Sequence, residues 1–411
     1  MEISHDIVIV GAGLAGLATS LGLHRLGIKC LVLEGSESLR ITGFALTTWT
    51  NAWKVFDGLG VGETLRDHHV QIDGVIATSV VTGLGGHRSL QGKASNGDHE
   101  VRCQKRKTLL EALASELPDG TIRFSSKVVA IEESGYYKLV RLADGTTVKT
   151  KALIGCDGVN SVVGKHLGFK KPLLTGRVAI RGIANFKEEH GYGNKFQQVF
   201  GKGYRSGFLP CDAKSIYWFF TWTPSTPDEM VLDSSAKMKQ IVLRRLEDGI
   251  GNPYLKNVIE TTEVENIDSA PLGFRVPMEL IWANISKDNV CVAGDALHPM
   301  TPDVGQGGCC SLEDGFVLAR CLAEALKTRH NGEDEDEEKA EYERIVSGLQ
   351  KYANERRWRS FDLVTTSYLV GVLLESDNLV LKFLREKVLG QFLGGLLLKR
   401  ADYDFGKLCV T

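Results

Sequence analysis

The chain has 411 residues and a mass of 45.1 kDa, with 43% hydrophobic and 24% charged residues, which excludes wholesale disorder and fits two or three lobes. Lysine and arginine total 49 against 51 aspartates and glutamates, so no global basic field exists to hold DNA or RNA by counterion release. The nine cysteines are odd in number and show no CxxC spacing, which reads as reduced, buried thiols; adjacent Cys309 and Cys310 read as small apolar helix residues.

From the N-terminus, Ile7–Val10 is a continuous apolar strand of the kind a parallel sheet buries on both faces. No basic, then apolar leader precedes it, so a cytoplasmic protein without a secretory signal is expected, and no apolar run reaches the roughly 20 residues of a membrane span. Leu14–Leu26 has a helical pattern stopped by Gly27, and Lys29–Leu33 is the second strand. Helical stretches follow over Asn51–Leu59 and Glu63–His68, then a surface loop over 83–100 rich in Gly, Ser, Asn and charge. A helix over Thr108–Glu116 leads into a β-rich segment, 121–154, with a hairpin turn at Asp144-Gly145. Residues 175–223 carry short aromatic strands and glycine turns, read as a separate sheet, with a helix near Ser234–Arg245 beyond it. Asn289–Ala293 returns to the buried-strand pattern, and Ser311–Lys327 forms a helix. The acidic run Glu333–Glu338 reads as a solvated loop into a further helix that continues to about Tyr368. The apolar but charge-broken tail, 368–411, is expected to pack on the body as a helix.

Gly11-Ala12-Gly13-Leu14-Ala15-Gly16 follows a strand and opens a helix, which makes it a dinucleotide fingerprint. Gly11 allows the tight turn, Gly13 lets pyrophosphate approach the backbone, and Gly16 lets helix and strand pack closely, with free N–H groups and the positive helix end facing the phosphates. Glu34, followed by Gly35, ends the second strand where a carboxylate accepts ribose hydroxyls and repels a 2′-phosphate, so FAD or NAD is favoured there over NADP. No second complete fingerprint exists.

Two further motifs are Gly155-Cys-Asp157-Gly158-Val-Asn-Ser161 and Gly294-Asp295-Ala-Leu-His298-Pro-Met-Thr-Pro302-Asp-Val-Gly305-Gln306-Gly307-Gly308, the latter followed by Leu312-Glu313-Asp314. With the fingerprint they resemble class A flavoprotein monooxygenases, and the wording around Asn51-Ala52 and Gly-Gln-Gly-Gly-Cys resembles the plant salicylate-hydroxylase-like and zeaxanthin-epoxidase-like members. The resemblance implies non-covalent FAD with NADH or NADPH as transient reductant. It implies oxygen insertion from O2 into a small electron-rich aromatic or alkene through a flavin C4a-hydroperoxide. The alternatives are a flavin-binding protein with an interaction or regulatory role and little turnover, or another flavin oxidoreductase of the same fold. The implied architecture is α/β: a Rossmann-type FAD-binding domain (1–80, 100–172, 281–365), an interleaved substrate-binding β-sheet domain (81–99, 173–280) and a C-terminal helical segment (366–411).

The resemblance places Asp295 on ribityl or ribose hydroxyls, Asp157 and Gly158 at the cofactor, and Arg106, with Arg102 as rival, against it. The loop Pro302–Gly308 runs into a helix whose dipole can face the flavin N1–C2=O edge, with Gly305, Gly307 and Gly308 leaving room for the ring. His298 reads as a buried, hydrogen-bonded imidazole. No protein nucleophile is required, so no catalytic residue is named, and no metal-ligand set appears. Alternation along Ser215–Trp222 puts Tyr217, Phe219 and Thr221 on one face and Trp218, Phe220 and Trp222 on the other, leaving open which face lines the pocket. Arg205 is a candidate for a substrate carboxylate, and Pro302 for a substrate contact.

Overall fold

The computed structural model describes residues 2–83, 85–95, 97–225, 234–247, 252–327, 337–375 and 390–408. Apolar runs with no polar alternation build the first sheet. Glu2–Val10 pairs in parallel with Thr147–Gly155 on one side and Leu31–Leu33 on the other, and Leu31–Leu33 pairs in parallel with Ile122–Arg123. Val290–Val292 joins the free edge of Thr147–Gly155 in parallel, so Ile154 lies between Ile9 and Cys291. Such strands are buried on both faces. The helices Leu14–Arg25 and Gly307–Lys327 pack on each other against this sheet, and Gly22 and Gly315 permit the close approach: a Cβ on either would come within 2.7 Å of an alanine Cβ on the other helix. The hairpin turn falls where predicted, with Gly145 at φ +83° between Tyr137–Leu142 and Thr147–Gly155.

The second sheet runs in the order Ile267–Phe274, Leu173–Asn185, Ser215–Trp222, Tyr204–Pro210, Lys195–Gly201, Gly74–Ser79, Gly85–Ser89. Its outermost strand overturns part of the loop expected over 83–100: Gly85–Ser89 pairs antiparallel with Gly74–Ser79, and Lys93–Ala94 with Gly97–Asp98. Those residues are mostly exposed and polar, so backbone pairing holds them and no alternation of apolar residues was there to be read.

One face of this sheet is a closed core. Ile216, Trp218, Phe220 and Trp222 are buried with Met238, Ile241 and Val242 of the helix Ser235–Glu247 and Leu255, Val258 and Ile259 of Pro253–Thr261. Trp218 Nε1 donates to Thr262 Oγ1 at 2.8 Å, which satisfies the one polar atom that this ring buries.

The helix after the acidic run spans Glu337–Glu375, beyond the expected end near Tyr368. Of that run, 333–336 lie outside the described residues, as do tail residues 376–389. The helix Gly390–Ala401 and the strand-free end pack on the body as expected: Ala401 and Phe405 are buried, Phe405 meets Phe316 edge-on, and Lys54 Nζ bonds Asp402 Oδ1 at 3.0 Å. Among the described residues no helix is long and apolar enough to cross a membrane.

Candidate functional site

The glycine turn divides its labour as the spacing predicts. Gly11 sits at φ +100°, and a Cβ there would lie 2.5 Å from the Cys156 carbonyl oxygen. A Cβ on Gly16 would collide with the Gly11 carbonyl, so this residue is needed for helix–strand packing. Gly13 differs: its backbone is ordinary extended chain (φ −82°, ψ −172°), and a Cβ there would meet nothing within 4 Å. The fold itself does not require glycine at 13. Gly13 caps the helix without a side-chain hydrogen bond, so the first-turn N–H groups face outward. Glu34 Oε2 accepts from Ala12 N at 2.8 Å and Oε1 from Ser36 N at 2.9 Å, which holds the carboxylate beside the turn and before exposed Gly35.

Asp295 is the exposed residue in a run, 291–299, that is otherwise buried. Arg106, which opens the helix Arg106–Ala114, lies close enough to feel its charge. Burial pulls the Arg106 guanidinium below its ordinary value, and Asp295 opposes that shift. The fold therefore joins two of the predicted residues. Arg102 is engaged elsewhere: Nε donates to Glu100 Oε1 at 2.8 Å, Nη1 donates to the His69 carbonyl, and the guanidinium lies over the Trp53 ring.

Asp157 is tied into its own turn. Its carboxylate accepts from Ser161 Oγ, from Val162 N at 2.6 Å and from Val163 N at 3.3 Å, while Ser161 Oγ accepts from Gly164 N. It shapes the turn beside Gly158 (φ +77°) and thereby the wall against which Gly11 packs.

The loop Pro302–Gly308 is set by buried polar bonds. Gly305 (φ +61°) faces Trp49, and a Cβ on Gly308 would come 2.5 Å from Leu46 Cδ1. Gly308 packs against the Leu46 side chain, and at Gly307 the nearest atom to a Cβ is Met300 Cγ at 3.6 Å. Gln306 is buried, and its Oε1 accepts from Asn51 Nδ2 at 2.9 Å. Asn51 Nδ2 also donates to Glu313 Oε1, which Arg359 Nη2 meets at 2.7 Å, and Arg356 bridges Glu313 Oε2 (2.7 Å) and Asp314 Oδ1 (2.6 Å).

Asp314 Oδ2 accepts from Gly294 N (2.8 Å) and His298 Nε2 (2.6 Å), so His298 is the buried, bonded imidazole expected of it. Burial pushes this imidazole's pKa down, but Cys310 and Asp314 outweigh it and hold it well above the usual histidine value. A chain of buried charges thus fixes the Gly294–His298 turn to the Gly305–Gly308 loop. The cluster His298, Cys310 and Asp314 has metal-ligand residue types, but Arg356 already pairs with Asp314 and sits 3.3 Å from Cys310 Sγ, which disfavours a further cation.

The second sheet's other face carries a smaller cluster. Tyr217 and Phe219 are half-buried and cluster with Ile183, Leu209, Cys211, Phe196 and, from the first domain, Phe44, Ala45 and Cys103. Alternation had left the lining face open. Trp218, Phe220 and Trp222 are core, and Tyr217 and Phe219 look toward the first domain. Burial pushes the Tyr217 hydroxyl up to about 12. Phe44 holds φ +60°, an uncommon conformation for a bulky residue, at this junction.

Arg205 is buried and gives Nη1 to Asp303 Oδ1 (3.1 Å), while Arg177 Nη1 meets Asp303 Oδ2 (2.9 Å). The guanidinium proposed for a substrate carboxylate thus serves an internal one. Asp303 pins the loop, through the residue after exposed Pro302, to two strands of the sheet.

This geometry fits an adenine dinucleotide: outward helix N–H groups, a glycine whose missing Cβ the protein itself does not require, a carboxylate at the second strand and an exposed Asp295 beside Arg106. The sequence matches the FAD binding domain family over residues 4–348. It is 52% identical over 408 residues to Monooxygenase 2 of Arabidopsis thaliana, covering 99% of each chain. It is 34% identical over 404 residues to Monooxygenase 1 of the same organism, covering 98% of this chain and 99% of that one.

The chain belongs to the FAD-dependent monooxygenases. Its fold resembles that of Klebsiella pneumoniae HpxO, whose structure was solved with FAD and uric acid, at a TM-score of 0.80 and 22% identity over 98% of each chain. Within this FAD-dependent monooxygenase, sequence reasoning missed Arg177, Asp303, Arg356 and Arg359. Asp303 lies inside a motif that was read, yet its arginine partners sit 126 and 98 residues away, at distances no local pattern encodes.

Proposed function

We propose that the enzyme consumes NADH or NADPH and inserts one atom of O2 into a small, electron-rich aromatic or alkene substrate held between the Pro302–Gly308 loop and the Tyr217–Phe219 face. The observation that carries this reading is the apolar, aromatic cluster that joins that face to Phe44 and Ala45 of the first domain. Bound FAD supplies the redox chemistry and the activated oxygen.

The chain's own residues bind and orient. First-turn N–H groups above Gly13 receive the pyrophosphate, Glu34 the adenosine ribose, and Asp295, beside Arg106, a further hydroxyl of the cofactor. The N-terminus of the helix Gly307–Lys327 supports negative charge on a ring set against it. Tyr217, Phe219 and Phe196 give the substrate an apolar wall that keeps water from the reacting centre. The nearby Cys103 thiol is pushed well up by burial and stays protonated, in keeping with chemistry that uses no protein nucleophile.

The test is anaerobic mixing of FAD-loaded enzyme with NADH or NADPH, following flavin absorbance, with and without salicylate, other phenols and alkenes. Flavin reduction that an aromatic or alkene compound accelerates supports the reading. Failure of both nicotinamides to reduce the flavin under every condition rejects it.

A further inference from the structure

Large apolar side chains are exposed on three elements that adjoin one another. On the short helix Pro277–Trp282, Met278 and Trp282 stand four residues apart on one face, and Trp282 is 82% exposed. On the long helix, Trp358 (62%), Leu369 (58%) and Val372 share a stripe by helical spacing. At the start of a sheet strand, Leu173 and Leu174 (69%) are also exposed.

These pieces adjoin and are rigidly held. Arg357 Nη1 donates to the carbonyls of Leu280, Ile281 and Ala283 at 2.7–3.0 Å, fixing the short helix to the long one beside Trp358. Leu173 pairs with Phe274, whose ring stacks on Tyr368 at 4.5 Å. Arg275 Nη1 donates to the Lys170 carbonyl at 2.9 Å, which holds the Lys170–Leu174 segment beside the start of the short helix. Exposed apolar patches of this kind mark an interaction surface.

The charge beside the patch says what covers it. Lys170 and Lys171, one proline before the exposed leucines, are themselves exposed, and among the described residues neither has a carboxylate partner. Exposed Lys165 lies just upstream. The acids nearby are engaged: Glu279 faces Arg275, and Asp362 pairs with Arg400. A second copy of the chain docked symmetrically would bring like charges together. An anionic lipid surface answers both chemistries, since tryptophan favours the headgroup boundary and lysines meet the headgroup charge.

We propose that the surface formed by Trp282, Met278, Leu173, Leu174 and Lys170-Lys171 docks this enzyme peripherally on anionic phospholipid membranes. The short helix and the leucines enter the headgroup region while the lysines pair with lipid phosphate.

The test is co-sedimentation of the full-length, FAD-loaded enzyme with vesicles of phosphatidylcholine alone or with added phosphatidylserine, at low and high salt. Binding to the anionic vesicles, weakened by salt, is expected. Lys170→Gln with Lys171→Gln should weaken it about thirty-fold and Trp282→Ser about ten-fold. FAD content and thermal midpoint should stay unchanged, because these side chains are at the surface. Absence of binding to anionic vesicles overturns the proposal. Binding that neither variant weakens overturns it for this surface. A concentration-dependent dimer that Trp282→Ser abolishes, without vesicle binding, assigns the patch to a second copy of the chain and also overturns it.

Discussion

Gly13 and Gly16 belong to one motif but should fail in different ways. Gly13→Val places a side chain where the protein has no atom within 4 Å, on backbone that any residue adopts. The fold should survive. The new isopropyl group occupies the approach to the first-turn N–H groups, so a bound pyrophosphate loses at least two charge-assisted hydrogen bonds. At about 1.5–3 kcal/mol each this is about 3–6 kcal/mol, or roughly a 10²- to 10⁴-fold loss of FAD affinity. Gly16→Ala instead drives a Cβ into the Gly11 carbonyl, and the helix must shift off the strand at a cost of about 3 kcal/mol. The assay is flavin content per chain after purification, FAD titration of the apoprotein, and denaturant unfolding of both apo variants. The reasoning predicts a stable, flavin-free Gly13→Val and a destabilised Gly16→Ala. A Gly13→Val protein that purifies with full flavin refutes it, as does a Gly16→Ala apoprotein as stable as the parent.

Four more outcomes follow from the geometry. Asp295→Ala should lower FAD affinity about 10- to 100-fold by titration with an unchanged melting temperature, since the exposed carboxylate supports a ligand and not the fold. Arg356→Met leaves Glu313 and Asp314 buried with fewer counter-charges and should cost about 3–5 kcal/mol in denaturant unfolding; a loss below about 1 kcal/mol would show the network to be dispensable. Trp218→Ala should cost about 3–5 kcal/mol, whereas Phe219→Ala should leave stability nearer the parent and raise the KM for the aromatic substrate; equal stability losses would place both rings in the core.

The fourth concerns pH. Burial pushes the Asp314 carboxyl up, but His298 and Arg356 outweigh it and hold it at about 2, below its unfolded value near 3.9. Its stabilisation is present above about pH 4 and is lost as pH falls toward 2. His298 is shifted the opposite way, so its contribution is full below about pH 6.5 and declines as pH rises through its higher folded value. Melting temperature against pH should fall on both sides, and His298→Asn should flatten the alkaline side; an unchanged alkaline limb contradicts the assignment.

Local chemistry made much of this molecule legible. The turn Gly11–Gly16 could be read because its glycine spacing between a strand and a helix is local, with Gly16 packing on the Gly11 carbonyl, and the Ile7–Val10 strand because a doubly buried strand must be apolar throughout. The Trp218 and Tyr217 faces separated by simple alternation, but which face is core depends on the helices Ser235–Glu247 and Pro253–Thr261 that cover one of them. Gly85–Ser89 was hidden because edge pairing uses backbone alone. The Arg205–Asp303 pair was hidden for a related reason: a guanidinium's partner is set by tertiary contact, and Asp303 lies 98 residues away in the chain. The turn bonds of Asp157 to Ser161 and Val162 lie within one motif, so its place in the turn was legible locally.

The most direct test of the account is turnover of the FAD-loaded enzyme with NAD(P)H under oxygen-18 gas, with products read by mass spectrometry across salicylate, other phenols and alkenes. The account predicts a product that carries one labelled oxygen atom and depends on bound FAD. Nicotinamide consumption that yields only labelled peroxide with every compound, or a product oxygen drawn from water, would contradict it.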